Sequence, residues 1–307
     1  MPKEQRRPHI AGLVSIVVLL GLPSSASGHP AIDAQIADLT ARLEREPGRA
    51  DLHLRLGDLH RLHGERAAAL ADLERARALD PDLAEVDLSL ACLLMETGEL
   101  RQAGAALDRF LLRRPGQVDG LVARGRLRTR QGQHLWAADD FTRAIVQLRF
   151  PLQPAPELFL ERARALASAG KERLGEALRG LDEGIERLGP LVTLESYAID
   201  LEVRRGAIEA ALARADTLAA ASASPARWLA RRGTILEEAG QREEAYRAFL
   251  EARAGIEALP EPRRGTPAVA ALEHEVSGAL RRLEPGAGGP EAGQRSARRR
   301  RPSPDGE

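Results

Sequence analysis

Apolar residues in this chain recur three or four positions apart, in stretches of roughly a dozen residues broken by glycine or proline. Leu52, Leu56 and Leu59 form one such stripe, and Leu70 and Leu73 begin the next, with charged residues filling the positions between them. That spacing puts the leucines on one face of a helix, because residues three and four apart lie one above the other on the helical surface. The pattern predicts helix after helix.

The breaks are periodic. Gly64, Gly98 and Gly132 are 34 residues apart, and Gly170, Gly206 and Gly240 follow at intervals of 38, 36 and 34. Pro47, Pro81 and Pro115 are also 34 apart, with Pro151, Pro190, Pro225 and Pro260 continuing the series with small slips. A third series is Ala69, Ala103, Ala137, Ala177, Ala211 and Ala245. Glycine ends a helix by taking the left-handed conformation at low cost. Proline stops the second helix, since its ring and missing N–H cannot continue it. The unit is therefore a helix–turn–helix, and its small positions mark close backbone approach. A large residue in place of Ala103 should cost ~1–3 kcal/mol through overpacking.

A 34-residue helical pair with these features resembles the tetratricopeptide repeat. Its first-helix small residue is Gly57, Ala91, Gly125, Ala163 or Gly233, and the alanine series opens the second helix. The large apolar residue that follows is Leu73, Leu107, Phe141, Leu181 or Phe249, and the next small one is Ala76, Ala144, Gly184 or Ala252. The resemblance covers residues 48–260 as about six repeats. The third repeat carries Arg124 and Arg128 at apolar positions, and the fourth has a two-residue insertion near Lys171. The fifth departs most, with Glu195, Ile199 and Glu202. The implied fold class is all-α: an α-solenoid of helix–turn–helix repeats forming a superhelix.

The flanks read as caps. Ile32, Ile36, Leu39 and Leu43 make one stripe on an N-terminal capping helix over 29–47, and Thr266-Pro267 starts a C-terminal capping helix over 265–283. A repeat stack needs such helices to cover its terminal apolar faces. Residues 284–307 lack apolar periodicity and are expected to form a disordered basic tail, with Arg298 to Arg301 as its cationic cluster.

What the resemblance implies is protein or peptide binding in a concave groove lined by first helices. Carried over by position, the groove candidates are Asp58, Arg61 and Leu62 in the first repeat, with Ser89, Cys92 and Glu96 in the second. Arg126 and Arg130 follow in the third, and Arg164 and Ser168 in the fourth. The family's carboxylate clamp is not expected, because Leu54, Asp58 and Ser89 stand at its positions and Asp58 would repel a carboxylate.

Composition narrows the chemistry. Hydrophobic residues make up 43% of the chain and aromatics 3%, so the core is aliphatic. Lys+Arg and Asp+Glu number 45 each, so no net field draws the chain to nucleic acid or an anionic membrane. The single cysteine, Cys92, excludes an internal disulfide. The other carboxylates alternate with arginines and read as solvated ion pairs on helix surfaces.

At the N-terminus, Lys3, Arg6 and Arg7 precede an apolar run over 10–22 and then small residues. This is the pattern of a signal peptide over 1–28, with cleavage after Ala26 or Gly28 and an uncleaved anchor as the alternative. Residues 29–307 are then expected outside the cytoplasm, with no membrane span after cleavage.

Candidate catalytic and metal chemistry is thin. His53, His60 and His63 share a helix face but spread over about two turns. They are read as packing positions, with His63 favourable at a helix C-terminus, and not as a metal site. His274-Glu275 lacks the second histidine of a metalloprotease helix, because Gly278 stands in its place. No nucleophile–base order appears. The expectation is a non-catalytic exported scaffold for a protein or peptide partner, without cofactor or metal. An accessory subunit of an exported enzyme or transporter, or a metal- or glycan-binding module, is the alternative.

Overall fold

A computed structural model describes residues 30–148 and 154–284, and every regular element among them is helical. The expected signal peptide, Pro151 and the tail beyond Glu284 lie outside the described residues. A single helix, α1 (Pro30–Arg45), comes first. Six pairs follow: α2 (Ala50–His63) with α3 (Arg66–Leu79), α4 (Glu85–Thr97) with α5 (Leu100–Arg113), and α6 (Val118–Arg130) with α7 (His134–Gln147). The others are α8 (Pro156–Ala169) with α9 (Leu174–Leu188), α10 (Val192–Arg204) with α11 (Ile208–Ala221), and α12 (Ala226–Glu238) with α13 (Arg242–Glu257). A short α14 (Glu261–Arg264) leads to α15 (Pro267–Leu283). No helix among the described residues is long and apolar enough to cross a membrane.

The glycines end the first helices as their spacing requires. Gly64 has φ 85°, its N–H donates to the carbonyl of Arg61 at 3.1 Å, and the N–H of Glu65 donates to that of His60 at 2.8 Å. The same pair of bonds recurs at Gly98, Gly132, Gly206 and Gly240, so each helix end has its orphan carbonyls satisfied. Gly170 differs. There the chain enters a one-turn 3-10 helix, Lys171–Arg173, which takes up the two inserted residues of the fourth repeat.

The chain divides into two compact units, one ending at Val86 and the other starting at Asp87. In the first, Leu39 and Leu43 of α1 pack with Leu52 and Leu56 of α2, and Leu73 of α3 is fully buried. In the second, successive helices pack on one another from α5 to α13, and α15 packs on α13. Phe141, Leu181 and Phe249 are buried there, each contributing ~1.5–3 kcal/mol by leaving water.

The small residues of the first helices are set by these large ones. A Cβ on Gly57 would lie 2.7 Å from Leu73, one on Gly125 2.8 Å from Phe141, and one on Gly233 2.9 Å from Phe249. Each glycine precedes its partner by 16 residues, so one contact is repeated in three repeats.

Candidate functional site

The helix pairs are joined by polar seams as well as apolar ones. Asp140 on α7 is 0% exposed. It accepts from Arg124 Nε at 3.0 Å and Nη2 at 2.8 Å, and from Arg128 Nη1 at 2.6 Å, both arginines lying on α6. Burial is the largest single influence and works against the charged form of Arg124, but Asp140 and Asp108 together outweigh it and hold the guanidinium above its ordinary range. Arg128 also lies over the Trp136 ring, 5.7 Å from its centre.

Two repeat periods earlier, Asp72 on α3 occupies the register of Asp140. It meets His53 Nδ1 at 3.0 Å and His60 Nδ1 at 2.9 Å. In the fifth repeat the polarity is reversed, with Arg214 on α11 in that register and Glu195 on α10 bonding to it at 3.0 Å. Burial lowers and the carboxylates of Asp182 and Glu195 raise Arg214, with a net shift upward. In the second repeat, Asp87 is buried and accepts from Arg109 Nη2 at 2.7 Å and Arg113 Nη1 at 3.0 Å.

These seams correct two readings of the sequence. Asp87, Asp140, Glu202 and Arg162 are buried charged groups, whereas the sequence reading placed its charges on solvated surfaces. Arg124 and Arg128 sit at apolar positions because a buried carboxylate faces them. His53 and His60 are likewise more than packing residues, since Asp72 binds both. Among the described residues no three His, Cys, Asp or Glu side chains are placed to hold a metal ion. His63 lies 3.2 Å from Asp33 and 3.2 Å from Glu65.

A second line of polar side chains connects successive first helices. Arg126 on α6 bonds Glu161 on α8 at 3.0 Å, Arg164 on α8 lies 5.6 Å from the centre of the Tyr197 ring on α10, and Asp200 on α10 accepts from Arg231 on α12 at 2.5 Å. All three contacts fall at one register, immediately after the first-helix small position. The sign reverses between the first contact and the last.

Of the sequence-derived groove residues, Arg126 and Arg164 belong to this line, and Arg126 keeps 53% of its side chain exposed. Arg130 is differently engaged: its Nη1 donates to the Met95 carbonyl at 2.8 Å and holds the end of α4. Arg204, at the same register on α10, donates to the Ala167 carbonyl at 3.2 Å. Ser168 and Glu96 are exposed, Ser89 is buried and Cys92 half-buried. In the first unit, Leu62 is 61% exposed, and Asp58 lies 3.8 Å from the half-buried Arg61. Asp58 also borders an open hollow of about 610 Å³ between α1 and α2.

The matched residues agree with this helical arithmetic. Residues 60–125 match the family model described as tetratricopeptide repeat. No curated protein matches the chain. Among solved structures, the chain is similar to a tetratricopeptide repeat protein from Parabacteroides merdae, with 20% identity, 81% of this chain and 93% of that one covered, and a TM-score of 0.49. It is also similar to pilF of Pseudomonas aeruginosa, with 16% identity, coverage of 76% and 99%, and a TM-score of 0.49.

Proposed function

Since residues 60–125 match the tetratricopeptide-repeat model and the described residues fold as successive helix pairs, we propose that the chain is an exported, non-catalytic adaptor that binds a protein or peptide along its first helices. Repeat arrays of this kind present extended surfaces for partners, which supports the scaffold reading. The observation that carries it is the line Arg126, Arg164 and Asp200, each anchored by one neighbour and still exposed on its outer side. A side chain already held in place loses less entropy when a partner binds it. The alternating signs suit a partner of mixed charge.

Export is proposed from the charged start, the apolar run over 10–22 and the small residues that follow. Osmotic-shock fractionation with N-terminal sequencing checks it: the expected product lies outside the cytoplasm and starts at Ser27 or His29. A full-length cytoplasmic chain sinks the export reading.

The partner test is crosslinked affinity capture of the mature chain from its native envelope fraction, read by mass spectrometry. The variant is Arg126→Ala combined with Arg164→Ala. Arg130 is spared because its bond to Met95 is structural. One or two near-stoichiometric proteins should be recovered and then lost in the double variant, whose melting temperature stays unchanged. Capture that survives both substitutions rejects the first-helix site. Recovery of an exported enzyme or transporter would make the chain its accessory subunit.

A further inference from the structure

The fourth repeat lacks a side chain that its own register calls for. Arg162 on α8 stands where Arg124 stands on α6, immediately before the first-helix small residue. Opposite Arg124 is Asp140, but opposite Arg162, at the same register of α9, is Gly180. Arg162 is nonetheless 7% exposed. Its Nη2 donates to the Gly180 carbonyl at 2.9 Å and to Glu183 at 2.7 Å, and Phe159 lies against the guanidinium with its ring centre 5.4 Å away. The Nε is buried and has no hydrogen-bond partner. A Cβ on Gly180 would come within 3.0 Å of that nitrogen, so the missing side chain would have met the bare donor.

The space over Gly180 is a hollow of about 380 Å³ bordered by Arg162, Gly180, Leu135 and Leu166. We propose that this hollow binds a peptide carboxylate, which takes on Arg162 the place that Asp140 takes on Arg124. Nη2 of Arg162 already serves Gly180 and Glu183, so the donor left open is Nε, and one carboxylate oxygen would take it as Asp140 Oδ2 takes Nε of Arg124. Asp139, Glu176 and Glu183 also line the hollow with Arg179, so a phosphate dianion would meet more repulsion there than a singly charged carboxylate. Leu135, 48% exposed, and Leu166 give an apolar wall for the residue that carries the carboxylate. That the ligand is a peptide rests on the adaptor reading above, whereas the carboxylate site rests on Arg162 and Gly180 alone.

The test uses the full chain and three small probes. N-acetyl-leucine carries a chain-terminal carboxylate beside an apolar side chain, N-acetyl-leucinamide lacks it, and N-acetyl-glutamate α-amide carries it on the side chain only. Binding is read by saturation transfer to the probe and by the Nε–H resonance of Arg162 in the ¹⁵N-labelled chain. One or both acids should bind saturably and move that resonance, and the better acid identifies chain end or side chain as the source. The leucinamide should leave it unmoved. Gly180→Asp supplies the carboxylate in cis and should weaken the acids by about 10-fold or more. Arg162→Gln, which keeps an amide donor for Gly180 and Glu183, should weaken them equally and covers the case in which Gly180→Asp does not fold. Equal binding of leucine and leucinamide, or no movement of the resonance, overturns the site. Loss of acid binding with partner capture intact rejects the site alone; intact acid binding with no captured partner rejects the adaptor reading alone.

Discussion

In the α2–α3 pair, Asp72 takes two histidines; in the α6–α7 pair, two repeat periods on, Asp140 takes two arginines at the same register. The side chain of Asp72 is 17% exposed and that of Asp140 0%. The cation accounts for the difference in depth. Arg124 grips both oxygens of Asp140 with a rigid fork, which offsets the cost of taking a carboxylate out of water. Each histidine offers a single nitrogen to Asp72 in place of a fork, and that carboxylate keeps part of its contact with water. In these two pairs the register is shared and the residue type sets how deeply the carboxylate is buried.

The sharpest way to break this comparison is to remove each carboxylate's charge. Asp140→Asn leaves two guanidiniums facing a neutral amide in a dry site, and should cost about 3 kcal/mol or more. Asp72→Asn keeps a polar side chain facing His53 and His60 at a site that is not fully buried, and should cost about 1 kcal/mol. Urea unfolding of the full chain, followed by far-ultraviolet circular dichroism, measures both. Equal losses would mean that the arginine fork contributes nothing that the histidines do not.

Converting one seam into the other is a gentler test. His60→Arg places at α2 the residue that Arg128 supplies to α6, with Asp72 and Glu65 near to receive it. The expected change is within about 0.5 kcal/mol, since the new cation finds its partner in place. A loss larger than that of Asp72→Asn would show that the two registers are not equivalent.

The helix pairs were legible in the sequence because their signals are local. A glycine must take positive φ at each first-helix end, and a small residue must sit opposite Leu73 or Phe141, so both recur at a fixed period. The seams were not legible in the same way. Arg124 and Asp140 are 16 residues apart on different helices, and burial is decided only where those helices meet. The signal was present in part: two arginines at apolar positions, and an aspartate at the register of Asp72. Taken singly they read as surface charge, and only superposing the repeats joins them. The same superposition finds Gly180, whose importance lies in the aspartate that it replaces. Of the first-helix strip, the positions of Arg126 and Arg164 were legible, whereas their neighbours Glu161 and Tyr197 were not.

The smallest expected effect concerns the contact in which a cation meets a neutral partner. Arg164 lies over Tyr197, and burial pushes the Tyr197 hydroxyl above the ordinary tyrosine range, outweighing the nearby Arg204 and Arg164 that favour the phenolate. A folded-state value raised above the unfolded one means that the neutral phenol contributes stability that is full below the unfolded value. That contribution is lost as the pH rises through the raised value, so the effect is confined to strongly alkaline solution. The chain has two tyrosines, so the absorbance of tyrosinate should rise with a delayed component that Tyr197→Phe removes. The same substitution should leave unfolding unchanged at neutral pH and flatten its alkaline decline. A delayed component that survives in Tyr197→Phe would assign it to Tyr246. Asp140 would then stand without its counterexample, a partner whose burial outweighs two nearby arginines, one of them hydrogen-bonded to it.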